Sequence, residues 1–332
     1  MMSKFFNTDH SKVTVGIAIG VGVAAVTAGY FYKRWVENSP PSRWVRVGEL
    51  SDLVVYPIKS CGPVRTNELE CSVLGLAKGH LRDRVFMIIT PEGQFITARA
   101  RPKCLQIQPR FEGDRMILSA PGMLDIEVDM KRLYETKPIR AVVWGETVDA
   151  VDCGEEVARW ISRFLVSEDI GMRLVFYPAT FPTRSVREKN RGFPDLTEVD
   201  SGALHDATSF MLMNESSVAE LNSRLKDPVS HMQFRPNFMV KGPIEAFVED
   251  NWKWIRIGNH AVFRNVKLCG RCILTNINPE SALRNPDGQP LKTLKEYRMV
   301  PGAGESPILG IHLGVRETGK VSIGDTVYVG EK

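Results

Sequence analysis

From Gly48 to Gly330 the chain is cut by turn residues into runs too short for most helices and rich in β-branched and aromatic side chains. GELSDLVVYPIKS alternates into a short apolar stretch, and RVFMIIT, PEG and QFITARA read as two strands joined by a tight turn. MILSAPG, LDIEVDM, TVDAVD, RLVFYP, SFMLMN, NFMVKG and TVYVG have the same character. Helical patterns are few. GEEVARWISRFL puts Val157, Trp160, Ile161 and Phe164 on one face with acids in its first turn, and NESSVAELNSRL has Ser217 and Glu220 at capping-box spacing. Many short strands with about three helices imply an α+β, β-rich protein of barrel-like architecture. Arg184 to Gly202 has no periodicity and reads as a long loop, of the kind that often carries function.

The N-terminus departs from this pattern. VTVGIAIGVGVAAVTAGYFY, Val13 to Tyr32, holds 20 residues without a charge, enough at about 1.5 Å per residue to cross a bilayer's hydrocarbon core. Tyr30, Tyr32 and Trp35 stand at its end, where aromatic rings favour the interface. Lys33, Arg34, Arg43 and Arg46 follow it, against Lys4 and Lys12 before it, which places the large C-terminal portion on the cytosolic side. A cleaved signal peptide with Val26-Thr27-Ala28 as its site is the competing reading, but the apolar run is too long and basic residues follow directly. ENSPPSRW then reads as a short stiff linker.

A net charge of +4 spread along 332 residues gives little support to nucleic-acid binding, and six scattered cysteines fit reduced thiols rather than a disulfide scaffold. No P-loop, serine-nucleophile elbow, His-Glu-x-x-His or EF-hand loop occurs. In KLCGRCILTNINPE, Cys269 and Cys272 lie three residues apart. Zinc needs two more ligands at matched spacing, and a redox dithiol needs a helix after the motif, where Pro279 breaks the chain instead. Two buried thiols, a redox dithiol outside its usual helical setting, or one thiolate on a soft or redox-active metal stay open. Lys59 and Ser60 in YPIKSCGP, Arg82 and Arg84 in HLRDRVF, and Arg235 and Asn237 in FRPNF form a sparse set suited to an anionic ligand, with Arg271 beside the cysteines.

YPIKSC, LRDR, VWGETVDAVDCGEEVARWIS, FRPN and CGRCILTNINPE, in that order, resemble the molybdenum-cofactor sulfurase C-terminal (MOSC) family over roughly Val45 to Gly330. The membrane segment in front makes the chain similar to that family's anchored reductases. The resemblance implies a signal-anchor over residues 1–36 (helix about 13–32), a linker over 37–46, a MOSC N-terminal β-barrel-like subdomain over 47–178 and a MOSC domain over 179–330. It implies Mo-molybdopterin as cofactor, with the Cys272 thiolate as catalytic molybdenum ligand and Cys269 structural. Lys59, Ser60, Arg84, Thr208, Arg235, Asn237, Gly270 and Arg271 match the family's pterin-binding set, and His312 stands where some relatives have a tyrosine. Thr208 lies in DATSF, where the family has a Thr-Ser pair, and corresponds to either member.

The implied reaction is two-electron cleavage of the N–O bond in amidoximes, hydroxylamines and N-oxides, with nitrite and nitrate as further acceptors. Cytochrome b5 and NADH-cytochrome b5 reductase are the implied electron donors, on the mitochondrial outer membrane with the C-terminal domain facing the cytosol. Pyridoxal phosphate binding is associated with the cofactor-sulfurase relatives, although this chain has no sulfurase region. The alternative is a cofactor carrier or sulfur-transfer protein using Cys272 as a persulfide thiol.

Overall fold

Seven strands close into a barrel in the computed structural model, which describes residues 39–331. They are β1 (Arg43–Val55), β2 (Phe210–Asn214), β3 (Phe238–Lys241), β4 (Trp254–Ile257), β5 (Ala261–Gly270), β6 (Ile308–Glu317) and β7 (Thr326–Glu331). Their order is β3-β2-β6-β5-β4-β7-β1, and β1 pairs back onto β3 to complete the circuit. Only β2 and β3 run parallel; every other neighbour pair in the barrel is antiparallel. Closure leaves no free sheet edge, the usual solution for short strands that bury one face.

Closure rests on β1, which carries the strand expected in GELSDLVVYPIKS back to Arg43, so that residues 43–46, expected in the linker, are strand. Its first half pairs with β7 and its second half with β3, with a register shift in each pairing. Gly48 sits where the strands crowd: a Cβ there would meet the Lys241 carbonyl oxygen at 2.2 Å. Inside, Phe210 and Phe238 stack at 5.7 Å between ring centroids, and Phe263 meets both edge-on at 5.1 and 5.4 Å. All three rings are fully buried. Burial stabilises each by about 1.5–3 kcal/mol and the ring geometry adds about 0.5–1.5 kcal/mol per pair.

A second core lies under the segment between β1 and β2. Ile139–Val143, Glu146–Asp152, Arg173–Phe176 and Phe86–Ile89 form one four-stranded sheet, and Gln108–Glu112, Arg115–Ser119 and Ile126–Asp129 a three-stranded one. Gly319–Ser322, Glu68–Ser72, Gly75–Lys78 and Leu81–Arg82 make another four-stranded sheet. From Ser42 onward the chain is one compact unit.

Helices are few, as expected. Among the described residues they are α1 (Met130–Glu135), α2 (Glu155–Val166), α3 (Glu215–Asn222) and α4 (Leu291–Tyr297). In α2 the face of Val157, Trp160, Ile161 and Phe164 is buried, and Glu155 and Glu156 occupy its positive N-terminal end.

Two local expectations are corrected. The cap of α3 is Asn214, whose side chain accepts from Ser216 N at 3.0 Å. Ser217 instead donates to the buried Glu249 carboxylate at 2.7 Å, because a buried acid recruits the nearest hydroxyl. QFITARA forms only single bridges, Phe95 to Ile89 and Gln94 to Val142, before the chain turns away.

Arg184 to Gly202 is loop with two 3₁₀ turns, Glu188–Asn190 and Glu198–Ser201. No helix among the described residues is long and apolar enough to cross a membrane, and the expected anchor at Val13 to Tyr32 lies outside those residues.

Candidate functional site

The chain leaves β1 through Tyr56-Pro57-Ile58 and delivers Lys59 and Ser60 to the wall of a cleft of about 820 Å³, including its open mouth. The same cleft takes Arg84 from the turn before Phe86–Ile89, Thr208 from the approach to β2, and Arg235 and Asn237 from the corner before β3. Gly270, Arg271 and Cys272 enter from the end of β5, and His312 from β6. Ten of the residues singled out in the sequence therefore line one cavity, although they are up to 253 positions apart, whereas Arg82 stays outside it and donates to the Ala179 carbonyl at 3.2 Å.

Backbone conformation supports a dedicated site. Ser60, Arg84 and Arg235 all take left-handed φ, at 69°, 49° and 56°. Each costs about 1–3 kcal/mol in a residue with a Cβ, and such strain gathers where side chains must be aimed.

Beneath the cleft lies a buried ionic cluster. Asp83, fully buried, accepts from Tyr56 N at 2.7 Å, from His205 Nε2 at 3.0 Å and from Arg84. Burial acts to raise its carboxyl, but the Arg84 charge and the His205 bond outweigh it and hold Asp83 below the usual carboxylate range. Burial in turn pushes His205 down to about 4, against the pull of Asp83, so the ring is neutral. Arg84 thus stands on an anion below and reaches the Arg235 carbonyl at 3.2 Å.

Arg235 carries the clearest sign of a ligand. Its Nη1 donates to the Cys61 carbonyl at 2.7 Å and its guanidinium lies 4.0 Å from the Tyr56 ring centroid. Its Nη2 is buried and has no partner among the described residues. Leaving such a donor unmet costs about 1–3 kcal/mol, a cost that an anionic ligand would remove. Lys59 is buried as well, donating to the Leu204 carbonyl at 2.9 Å and to Asp206. Burial brings its ammonium down to about 8, against Asp206, which favours the charge. Trp144 Nε1 holds the same Asp206 carboxylate at 3.0 Å, and Arg187 covers the indole at 4.0 Å.

The remaining matches have narrower tasks. Asn237 donates to the Val54 carbonyl at 3.1 Å and accepts from Met211 N at 3.1 Å and Arg84 at 3.4 Å, so its amide ties β1 to β2 and steadies Arg84. Arg271 donates to the Leu309 carbonyl at 2.8 Å and the Phe234 carbonyl at 2.9 Å. It is a brace for the corner carrying Cys272, with its donors spent on carbonyls rather than held out to a ligand. Gly270 ends β5, and a Cβ there would come within 3.2 Å of the Ser306 Cβ.

The two cysteines separate cleanly. Cys269 is buried, and burial pushes its thiol up against the opposing charges of Arg271 and Lys267. Cys272 is exposed, at the start of the 3₁₀ turn Ile273–Asn276, with its carbonyl accepting from Thr275 N at 3.0 Å and Thr275 Oγ1 at 2.9 Å. Among the described residues no three His, Cys, Asp or Glu side chains gather as a metal site. A metal here would take one protein thiolate and draw its other donors from the cofactor that carries it. An anionic pterin bringing its own sulfur donors fits that set: buried cations, an orphaned guanidinium and one open thiol.

Sequence reading missed Tyr56, Asp83, His205 and Asp206. Asp83 had a signal, an acid between two arginines in LRDR. The others had none, because their partners lie far away in the sequence.

Comparison with known proteins gives the family. The family described as MOSC N-terminal beta barrel domain matches residues 47–168, and the MOSC domain matches residues 200–328. Mitochondrial amidoxime-reducing component 1 of Danio rerio is 36% identical over 96% of this chain and 95% of its own length. The protein of that name in Homo sapiens is 34% identical over 94% and 91%. Mitochondrial amidoxime reducing component 2 of Bos taurus is 36% identical over 86% and 84%. Among solved structures, YiiM from Geobacillus stearothermophilus aligns over 37% of this chain and 54% of its own, with a TM-score of 0.27 and 13% identity.

Proposed function

The chain belongs to the MOSC family, alongside proteins named amidoxime-reducing components, and on that premise we propose that it is a molybdenum-cofactor-dependent reductase of N-hydroxylated compounds. The observation that carries the reading is the buried, unpartnered Nη2 of Arg235 in a cleft that also holds the exposed Cys272. When bound, molybdopterin would supply a metal able to exchange two electrons and an oxygen atom with the substrate, chemistry that side chains do not provide.

The residues would do the rest. Lys59, Ser60, Arg84 and Arg235 would grip the phosphate, and Cys272 would anchor the metal as its thiolate. Asp83 and His205 hold Arg84 at its post, and Asn237 and Arg271 fix the corners from which the ligands project. Tyr56 packs on Arg84 and Arg235, and Trp144 on Lys59, covering the gripping cations with rings, which strengthens each charge-assisted bond. Cys272 stands where a small substrate can approach.

The substrate class follows the relatives' names: amidoximes first, then hydroxylamines and N-oxides, with nitrite and nitrate as further candidates. Electrons would come from cytochrome b5 and its NADH-dependent reductase. Mitochondrial location follows the same names, with Val13 to Tyr32 holding the enzyme on the outer membrane and its catalytic unit in the cytosol. Sharing one membrane with its donors would raise their effective concentration. Neither the cleft's lining nor the relatives' names speak for pyridoxal phosphate.

The test is NADH oxidation by the full chain, cytochrome b5 and its reductase, with and without an amidoxime. Turnover that needs all components and yields the amidine is expected. Binding of the cofactor without any reduction would favour a carrier that uses Cys272 as a persulfide thiol.

A further inference from the structure

Thr208 Oγ1 lies 3.0 Å from the Phe210 carbonyl oxygen and 3.1 Å from Nδ1 of His312. A carbonyl only accepts, and a hydroxyl has one proton to give. Both contacts are satisfied by one arrangement: Thr208 donates to Phe210, and His312 Nδ1–H donates to Thr208. The ring is neutral, since burial and the charges of Lys267, Arg271 and Arg84 push it down to about 3. A neutral ring protonated at Nδ1 is bare at Nε2. His312 lines the cleft from β6, in register with Met211 on β2 and Lys267 on β5, and its Nε2 has no partner among the described residues.

The groups around it are mainly donors. Lys267, Arg271 and Arg84 are the cations whose charges act on it, and the carboxylate of Asp206 is already held by Lys59 and Trp144. We propose that His312 is a hydrogen-bond acceptor, locked in one tautomer by Thr208, that receives an N–H of the ligand bound beside Cys272. This rests on the reductase reading. Two ligands of that reading carry the required N–H, the pterin and an amidoxime substrate. An N-oxide of a tertiary amine has none at the reacting nitrogen. Recognition by an acceptor here therefore favours amidoximes over such N-oxides if the substrate is the donor.

The experiment compares the full chain with His312→Phe, His312→Gln and Thr208→Val, all from a host that makes molybdenum cofactor. Pterin content is read by fluorescence after oxidative release, and KM is read with an amidoxime and a tertiary N-oxide. Phe removes the acceptor at similar size, whereas Gln restores a carbonyl acceptor. Thr208→Val frees the tautomer and should lie between Phe and wild type.

If the pterin is the donor, His312→Phe retains the pterin about tenfold less tightly and His312→Gln recovers it. If the substrate is the donor, pterin content stays near wild type. KM for the amidoxime then rises about tenfold in His312→Phe while that for the N-oxide does not move. Unchanged pterin content and unchanged KM in His312→Phe overturn the inference, as does failure of His312→Gln to recover what Phe loses. Melting curves of each variant show whether a loss comes from misfolding, in which case Thr208→Val, which leaves the ring in place, decides. Wild-type chain free of pterin would instead remove the reductase reading, and this inference with it.

Discussion

Lys59 shows how far its surroundings can move a single group. Buried beneath Trp144 and Phe95, it titrates at about 8 in the folded chain against an ordinary lysine value of 10.5. Between those two values the unfolded chain holds a proton that the folded chain has lost, so stability rises with pH across that window and is flat below it. The ligand-free protein should therefore melt higher at pH 10 than at pH 8, relative to a Lys59→Met variant in which the difference disappears. Equal pH profiles for the two proteins would show that Lys59 is not desolvated. Lys59, Arg84 and Arg235 were legible as cleft residues because motifs place cations next to turns, and Ser60 because it follows Lys59 before Gly62-Pro63. Asp83, His205 and Tyr56 were not: the cluster that aims Arg84 is assembled from residues 27 to 122 positions apart. Arg271 and Asn237 line the cleft as well, and there their polar groups also bond backbone carbonyls and an amide, partners the sequence does not show.

At the scale of elements, part of the strands and helices was readable from periodicity: β1, β2, β3, β7, α2 and α3 were, whereas β4, β5, β6, α1 and α4 were not, and pairing was not. RVFMIIT gives the strand Phe86–Ile89, while QFITARA has the same β-forming residues and finds no continuous partner. The β6 strand shows why glycine matters at one position. Gly310 has φ 75°, and a Cβ there would meet the Leu212 carbonyl at 2.6 Å and Met213 Cγ at 2.7 Å, with Arg271 Nη2 at 3.3 Å. Gly310→Ala should therefore push β6 from β2 and disturb the Arg271 brace below Cys272, at a cost of about 2–3 kcal/mol. Urea unfolding checks this: the midpoint should fall with no change in slope. A midpoint within error of wild type would mean that the seam tolerates the methyl group.

At the scale of the molecule, the cleft exists because the barrel closes. β1 is both its seam, paired to β7 and β3, and the lead into Lys59 and Ser60, so the first strand of the described chain and the last are needed to hold the site together. Barrel-like architecture was expected from strand number and length. The circuit of partners was not, since it depends on contacts between residues nearly 290 positions apart, such as Arg43 with Glu331. The central claim is that this closed scaffold presents Cys272 as the protein ligand of a cofactor-borne molybdenum. The direct measurement is molybdenum and pterin per chain in full-length protein from a cofactor-making host, beside Cys272→Ser. The account predicts close to one of each in the wild type. In the variant, molybdenum ligation and reductase activity should be lost, while pterin is retained in part because its phosphate grip does not involve the thiol. A wild-type protein without molybdenum from such a host, or a variant that keeps both metal and full activity, would contradict it.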